Sequence, residues 1–432
     1  MEAFDQLISE GYLTTQQGSG TSISQDLPDP APKKRIVKNP ADRPSANATL
    51  SARAIRYSAS PFPPTIASGP IRAFLPNQPS VDHFPIHDWS RISSRRSRNA
   101  SREILRCGDP MGYPPLREAV AAYLGSSRGV HCSADQVMIV SGTQQALDLV
   151  ARVVLDPGDQ VWIEDPGYSG AASVLKAWDA QLIPVPVDTR GMRVQSGIRD
   201  APGARLAYVT PAHQFPLGTI MAPERRQQLL DWSQARGAWI FEDDYDSEFR
   251  FSGRPVAALQ GHSSGGNVIF SGSFNKMLFP ALRQGFVVLP EPLIDPIRKA
   301  RSMTDRYGAT LDQAVLCDFI TEGHLGRHLR RMRQTYTEHH TILLDAAKEE
   351  LAGLLEIQPT ETGLQTVGWL QHGWTDLAAT RAAAQAGIDV VPLSDYAFNW
   401  SRKDGLQIGF GAVPSAAIKP AVRKLSKALQ KR

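Results

Sequence analysis

From about residue 70 onward, short apolar runs alternate with helical patterns, and this alternation constrains the fold more than any other feature of the chain. The runs are Gln136–Val140, Val161–Ile163, Leu182–Val185, Leu206–Val209, Ala238–Phe241, Asn267–Phe270 and Phe286–Leu289. Each is short and almost wholly apolar, the pattern of a strand buried on both faces. Strands alternating with helices predict an α/β architecture, a mostly parallel central sheet covered by helices. Ligands of such sheets bind beyond the carboxyl ends of the strands. From about residue 325 a smaller α+β C-terminal domain is expected, with a long basic helix and strands near Asp389–Val391 and Leu406–Phe410.

Three strand ends carry chemistry. After Asn267–Phe270 comes a hydroxyl-rich turn, Ser271-Gly272-Ser273-Phe274-Asn275-Lys276, with Arg283 seven residues beyond the lysine. A lysine amine becomes a carbonyl nucleophile when burial or neighbouring cations lower its pKa. Serine hydroxyls and a planar guanidinium can hold a phosphate. After Ala238–Phe241 comes Glu242-Asp243-Asp244-Tyr245-Asp246. An aspartate can keep a pyridine nitrogen protonated, and a tyrosine two residues on can bond a phenolic oxygen. After Gln136–Val140 comes Ser141-Gly142-Thr143, opening a helical pattern. A small-residue turn at a helix start presents free N–H groups to an anion. Lysine, acid, tyrosine and phosphate cup together suit pyridoxal 5'-phosphate. Each motif alone has a plainer reading: a solvated lysine, an acidic turn, a glycine turn.

Further stretches make the pattern specific: Gly108-Asp109-Pro110-Met111-Gly112-Tyr113, Glu164-Asp165-Pro166-Gly167-Tyr168, Thr210-Pro211-Ala212-His213-Gln214-Phe215-Pro216-Leu217-Gly218, and Glu322–Arg333. With the three strand ends they span roughly residues 70–415. The chain resembles the aminotransferase-type domain of fold-type-I pyridoxal phosphate proteins, and more narrowly the MocR/GabR subgroup of GntR-type transcription regulators. The resemblance implies Lys276 as the Schiff-base lysine, Asp243 on the pyridine nitrogen and Tyr245 on the phenolic oxygen. It implies a phosphate cup of Ser141, Gly142, Thr143, Ser271, Ser273 and Arg283, with Tyr168 against the ring face. It also implies a homodimer and a small-molecule amine or amino acid as effector.

The amino-terminal stretch separates a regulator from a plain aminotransferase. Residues 2–13 read as a short amphipathic helix ended by Gly11, and residues 14–21 as a hairpin with a glycine-rich tip. This resembles the end of a recognition helix and the wing of a GntR-type winged helix-turn-helix, truncated at its start. A helix-turn-helix needs two helices, so specific DNA binding is not expected of this chain as it stands. The expected organisation is 1–21 for the winged-helix part and 22–65 for a proline-rich, mostly extended linker. The large cofactor-binding domain follows over 66–324, then the small domain over 325–432.

Composition narrows the rest. A net charge of +4 over 432 residues is too mild to argue for nucleic acid by itself. Lys33-Lys34-Arg35 and the group Arg91, Arg95, Arg96, Arg98 and Arg102 are locally basic. The second group reads better as a solvated helix face. Cys107, Cys132 and Cys317 are scattered and odd in number, which suggests a reducing compartment and neither disulfide nor metal framework. There is no run of 18 apolar residues and no secretory signal, so a cytoplasmic protein without a membrane span is expected.

Three departures from the family bear on chemistry. Phe215 stands where many aminotransferases carry an asparagine that bonds the phenolic oxygen, which leaves that role to Tyr245. Asn275 replaces a common serine. Where the family grips a carboxylate with arginine, the two candidate positions hold Asp395 and Gln407. The leading expectation is a regulator sensing an amine. A working aminotransferase and a non-enzymatic remnant are the alternatives.

Overall fold

The computed structural model describes the chain apart from residues 1, 17, 19, 26–48, 61, 63–71, 254–255, 264–265, 372, 400–402 and 431–432. It divides into two compact units, Met1–Ser51 and Ala52–Arg432. In the first, a helix over Glu2–Ser9 stops before Gly11, whose φ of 80° is the left-handed turn that glycine adopts without penalty. A hairpin follows. Its strands β1 (Leu13–Gln16) and β2 (Gly20–Ile23) are antiparallel, with Leu13 opposite Ile23. The basic tripeptide Lys33-Lys34-Arg35 and most of the proline-rich stretch lie outside the described residues.

The stretch expected to be extended as far as residue 65 contains a helix, Ala52–Ser58. Tertiary contacts account for it, because a helix of this length is not stable by itself. The Arg53 guanidinium lies over the Trp178 ring at 4.2 Å, and Arg56 bridges Asp179 at 3.3 Å.

The second unit is built on an eight-stranded sheet of β3 (Val137–Val140), β4 (Gln160–Asp165), β5 (Gln181–Asp188), β6 (Gly191–Met192), β7 (Leu206–Val209), β8 (Trp239–Asp244), β9 (Val268–Ser273) and β10 (Gly285–Val288). The spatial order is β3-β10-β9-β8-β7-β4-β5-β6. All strands are parallel except β10, which is antiparallel to both its neighbours, and the short edge strand β6. Alternate residues serve opposite layers although both are buried. Val161 and Ile163 of β4 join one core with Leu206, Tyr208 and Phe241, while Trp162 faces a second core with Ala207, Val209 and Ile240. The Trp162 ring stacks on Trp232 at 3.8 Å there. Trp162 is flush against Gly197, where an added methyl group would collide with the indole.

Strands β8 and β9 run further than the apolar runs suggested. Asp243, Ser271 and Ser273 are strand residues, and Lys276 stands in a single helical turn, Phe274–Met277. The small carboxyl-terminal layer is a four-stranded antiparallel sheet, β11 (Leu355–Ile357), β12 (Gln365–Leu370), β14 (Gly405–Gly409) and β13 (Val391–Pro392), in that order. The strand expected over Asp389–Val391 lies instead at Val391–Pro392, while the Asp389 N–H donates to the Ala73 carbonyl at 3.0 Å. A 27-residue helix, His324–Glu350, packs on the helix Ser415–Gln430 beside this sheet. The arginine-rich helix Ile86–Arg98 spends three of its cations internally: Arg95 and Arg96 pair with Asp318, and Arg91 with Asp88. Among the described residues, no helix is long and apolar enough to cross a membrane.

Candidate functional site

The parallel strands β3, β4, β7, β8 and β9 deliver their carboxyl ends to one edge, where a cavity of about 350 Å³ opens. Gly142, Thr143, Tyr168, Asp243, Tyr245, Ser273, Lys276 and Arg283 line it, eight of the ten residues singled out from the sequence. Ser141 and Ser271 do not. The Ser141 hydroxyl turns to Gln145 Oε1 at 3.2 Å, and Ser271 is fully buried, its Oγ without a partner among the described residues.

Pairing of β8 with β9 sets Asp243 opposite Ser271, so acid and lysine rise from adjacent strands. Asp243 is buried. It accepts hydrogen bonds from Tyr208 at 2.6 Å and Thr143 at 3.0 Å. Burial pushes its carboxyl up to about 7, while the two hydroxyls favour the charged form. The amine of Lys276 donates to the Asn77 carbonyl at 2.5 Å. Burial lowers that amine from 10.5 to about 8, against the pull of Asp246 and Asp243. More of the amine is therefore neutral near pH 7 than in a solvated lysine, and the neutral form attacks a carbonyl.

Tyr245 stacks on His213 at 5.6 Å, with its hydroxyl 3.2 Å from His213 Nδ1. The same nitrogen lies 2.7 Å from Asp246 Oδ1. A carboxylate only accepts, so Nδ1 carries the hydrogen and gives it to Asp246. The phenol of Tyr245 cannot donate to that nitrogen and keeps its hydrogen for the cavity. Gly363 makes this approach possible, since an added Cβ would sit 2.2 Å from His213 Cε1.

At the other end, the helix Thr143–Val154 points its first N–H groups at the cavity. Its N-cap, Gly142, has φ 140°, and a Cβ there would intrude 3.1 Å from Asn275 Nδ2 and 3.9 Å from Arg283 Nη1. Asn275 does more than its neighbourhood suggested. It donates to the Ser141 carbonyl at 3.2 Å and accepts from Gln284 N–H at 2.9 Å, clamping the glycine turn to the lysine loop. Among the described residues, the exposed Arg283 guanidinium has no hydrogen bond or ion pair.

These three features fit a phosphorylated pyridine aldehyde. Among the described residues there are an unpaired guanidinium beside helix N–H groups, a cradle that a side chain would fill, and a buried acid, Asp243, in no ion pair. Ten further residues line it, among them Gln144 next to Thr143, Tyr208 and Phe215, and three from segments remote in sequence: Phe62, Asn77 and Tyr396. Phe215 sets its ring edge-on to Tyr168, Tyr245 and Tyr396. Gln144 donates to the Tyr168 hydroxyl at 2.9 Å. Tyr208 was legible only as a strand residue; the sequence gives no sign that its hydroxyl meets Asp243. Of the two candidate carboxylate-binding positions, Gln407 is fully buried and accepts from Tyr396 at 2.8 Å, and Asp395 lies outside this cavity.

Comparison with known proteins agrees with this geometry. Residues 76–425 match the family model "Aminotransferase class I and II". The chain is 39% identical, over 98% of its length and 84% of the relative's, to the probable rhizopine catabolism regulatory protein MocR of Rhizobium meliloti. It is 34% identical to the HTH-type transcriptional regulator YhdI of Bacillus subtilis, over 82% of this chain and 75% of that one. The α-aminoadipate aminotransferase LysN of Thermus thermophilus, crystallised with N-(5'-phosphopyridoxyl)-L-leucine, superposes with a TM-score of 0.80 at 26% identity. That match covers 88% of this chain and 97% of LysN. The chain belongs to the class I and II aminotransferase family, in its branch of MocR-type transcriptional regulators.

Proposed function

We propose that the chain is a pyridoxal phosphate-binding transcriptional regulator whose aminotransferase-like domain senses an amine or amino acid. One observation carries this reading: Lys276 and Asp243, on adjacent strand ends, share a cavity with an unpartnered Arg283. When bound, pyridoxal phosphate supplies an aldehyde that primary amines compete for and a ring that withdraws electrons. Lys276 would supply the amine that holds the cofactor. Asp243, kept in place by Tyr208 and Thr143, would face the pyridine nitrogen as a carboxylate. Tyr245 would offer its hydrogen to the phenolic oxygen, while His213 and Asp246 fix the phenol's orientation. Gly142, Thr143, Ser273 and Arg283 would hold the phosphate, with Ser141 and Ser271 as support. Tyr168 would lie against a ring face.

The helix and hairpin of residues 1–21 then belong to the DNA-reading part, 22–65 to the linker, and 66–324 and 325–432 to the large and small parts of the sensor. The regulator works as a cytoplasmic homodimer. Sedimentation should give twice the chain mass, and a monomer at micromolar concentration would contradict it. The sensing role is tested by absorbance. Protein loaded with pyridoxal phosphate should show a visible band, absent in Lys276→Ala, that shifts when an amine is added. Loaded protein whose spectrum ignores every primary amine contradicts sensing. A second reading, a working aminotransferase, is favoured by the lowered pKa of Lys276, which suits it to carry a proton. Steady turnover of an amino acid with 2-oxoglutarate would favour that reading.

A further inference from the structure

Against the His213–Asp246 pair lies the loop that joins β11 to β12 in the small carboxyl-terminal sheet. Three other elements hold this loop. His340, on the helix His324–Glu350, accepts the Thr360 N–H at 3.3 Å. The Glu361 carbonyl accepts the N–H groups of Phe251 and Ser252 at 3.0 and 3.3 Å, and the Glu361 carboxylate pairs with Arg250 at 2.9 Å. Just past β14, the N–H groups of Phe410 and Gly411 donate to the Leu364 carbonyl at 2.9 and 3.1 Å. The holding segment Phe249–Ser252 runs on from Tyr245 and Asp246, so the loop and the phenol are tied to one stretch of chain.

Gly363 is the point of contact. Its N–H donates to the Phe249 carbonyl at 3.2 Å, and its φ of 90° is a conformation that L side chains rarely adopt. The space is as restrictive as the backbone. A Cβ there would meet His213 Cε1 at 2.2 Å, Asp246 Oδ2 at 2.7 Å and His213 Nδ1 at 2.8 Å. All three atoms belong to the imidazole–carboxylate pair. Both side chains are buried, so neither can swing aside into solvent. A second glycine borders the ring at its other nitrogen, where a Cβ at Gly218 would lie 3.3 Å from His213 Nε2. The imidazole is thus seated between two glycines, and its Nδ1 meets both Asp246 and the Tyr245 hydroxyl.

We propose that Gly363 is a positioning residue for the cofactor's phenolic oxygen: it lets the β11–β12 loop seat against His213 and Asp246, and that pair aims the Tyr245 hydrogen into the cavity. The inference rests on the cofactor reading above, which puts the phenolic oxygen beside Tyr245. Phe215 has no donor to share the task, so the direction of this one hydrogen matters. A methyl group at residue 363 enters between the imidazole and the carboxylate. The ring then turns from Asp246, and the phenol loses the neighbour that keeps its hydrogen for the cavity. Gly363 lies outside the cavity lining, so it acts through His213.

The test uses the full chain loaded with pyridoxal phosphate and follows the visible band as pH is varied. The phenolic oxygen is more negative once the bound cofactor has lost its exchangeable proton, so a donated hydrogen favours that form. Loss of the donor in Gly363→Ala should raise the midpoint of the band's titration by about one unit, roughly a tenfold change in proton affinity. Gly387→Ala is the control for backbone strain, since Gly387 has a like φ of 75° with open space at its Cβ. Its midpoint should stay within about 0.2 unit of the parent's. Combining Gly363→Ala with His213→Asn should bring the midpoint back to within about 0.5 unit, because asparagine keeps an N–H for Asp246 and lacks the Cε1 that the methyl strikes. An unshifted midpoint in Gly363→Ala overturns the inference, as does an equal shift in Gly387→Ala or no recovery in the double variant. Should Gly363→Ala fail to fold, the double variant decides. A folded double variant with its midpoint near the parent's upholds the contact, and one that misfolds or keeps a displaced midpoint overturns it. Parent protein with no visible band brings down the cofactor reading instead, so the two failures are distinct.

Discussion

The two sides of the cofactor cavity are built in different ways. One side consists of strand ends: Asp243 on β8 and Ser273 on β9, held in register by the parallel ladder, and the glycine turn after β3, joined to them through the antiparallel β10. The other consists of loops from distant parts of the chain: Phe62, Asn77 and Tyr396. The ladder side fixes groups that do the same job whatever the ligand. The loop side can vary without disturbing the sheet. Under the proposed reading, cofactor chemistry belongs to the ladder and ligand choice to the loops.

The largest effect that separates the sides is expected at Asp243. Truncation to alanine leaves a cationic ring nitrogen without a partner in a buried site, and pyridoxal phosphate affinity should fall about a hundredfold or more. An affinity within a few-fold of the parent, measured by equilibrium dialysis, would break the division between the sides. Arg283→Ala should weaken pyridoxal phosphate by roughly ten- to a hundredfold yet leave pyridoxal unaffected, because only the former carries the phosphate. An equal loss for both aldehydes would mean that Arg283 serves the fold instead.

The capture of cofactor by Lys276 should depend on pH. Its amine is lowered to about 8, and the neutral form reacts, so the rate should rise about tenfold per unit below pH 8 and level above it. A rate still climbing at pH 10 would show an ordinary, solvated lysine. On the loop side, Asp395→Arg should improve saturation by L-alanine about tenfold with no change in the cofactor band. A changed band with unchanged selectivity would reverse the division of labour. The smallest effect belongs to Ser271→Ala. Its Oγ is buried without a partner, so cofactor affinity should stay within about twofold. A larger loss would restore it to the phosphate cup.

The same division explains what the sequence allowed. Lys276, Asp243, Tyr245 and the Gly142 turn were legible because each follows its own strand, and strand ends meet wherever the sheet is parallel. Side-chain direction was less legible. Ser141 and Ser271 share the right segments, yet one turns to Gln145 and the other is fully buried outside the cavity lining. The loop side was not legible at all. Asn77 meets Lys276 across 199 residues of chain, and no local pattern announces such a contact. The strands β11 and β12 also escaped notice. Leu355–Ile357 is only three residues long, and Gln365–Leu370 carries a glycine and polar residues in its buried register. The helix Ala52–Ser58 depends on Trp178 and Asp179, which no reading of its own residues supplies.

The central claim is that one amine, Lys276, faces Asp243 across a cofactor. Reduction of the loaded protein with borohydride, followed by proteolysis and mass spectrometry, tests it most directly. A single phosphopyridoxyl group is expected, on the peptide containing Lys276, and none in Lys276→Ala. A label spread over surface lysines, or persisting in that variant, would contradict it.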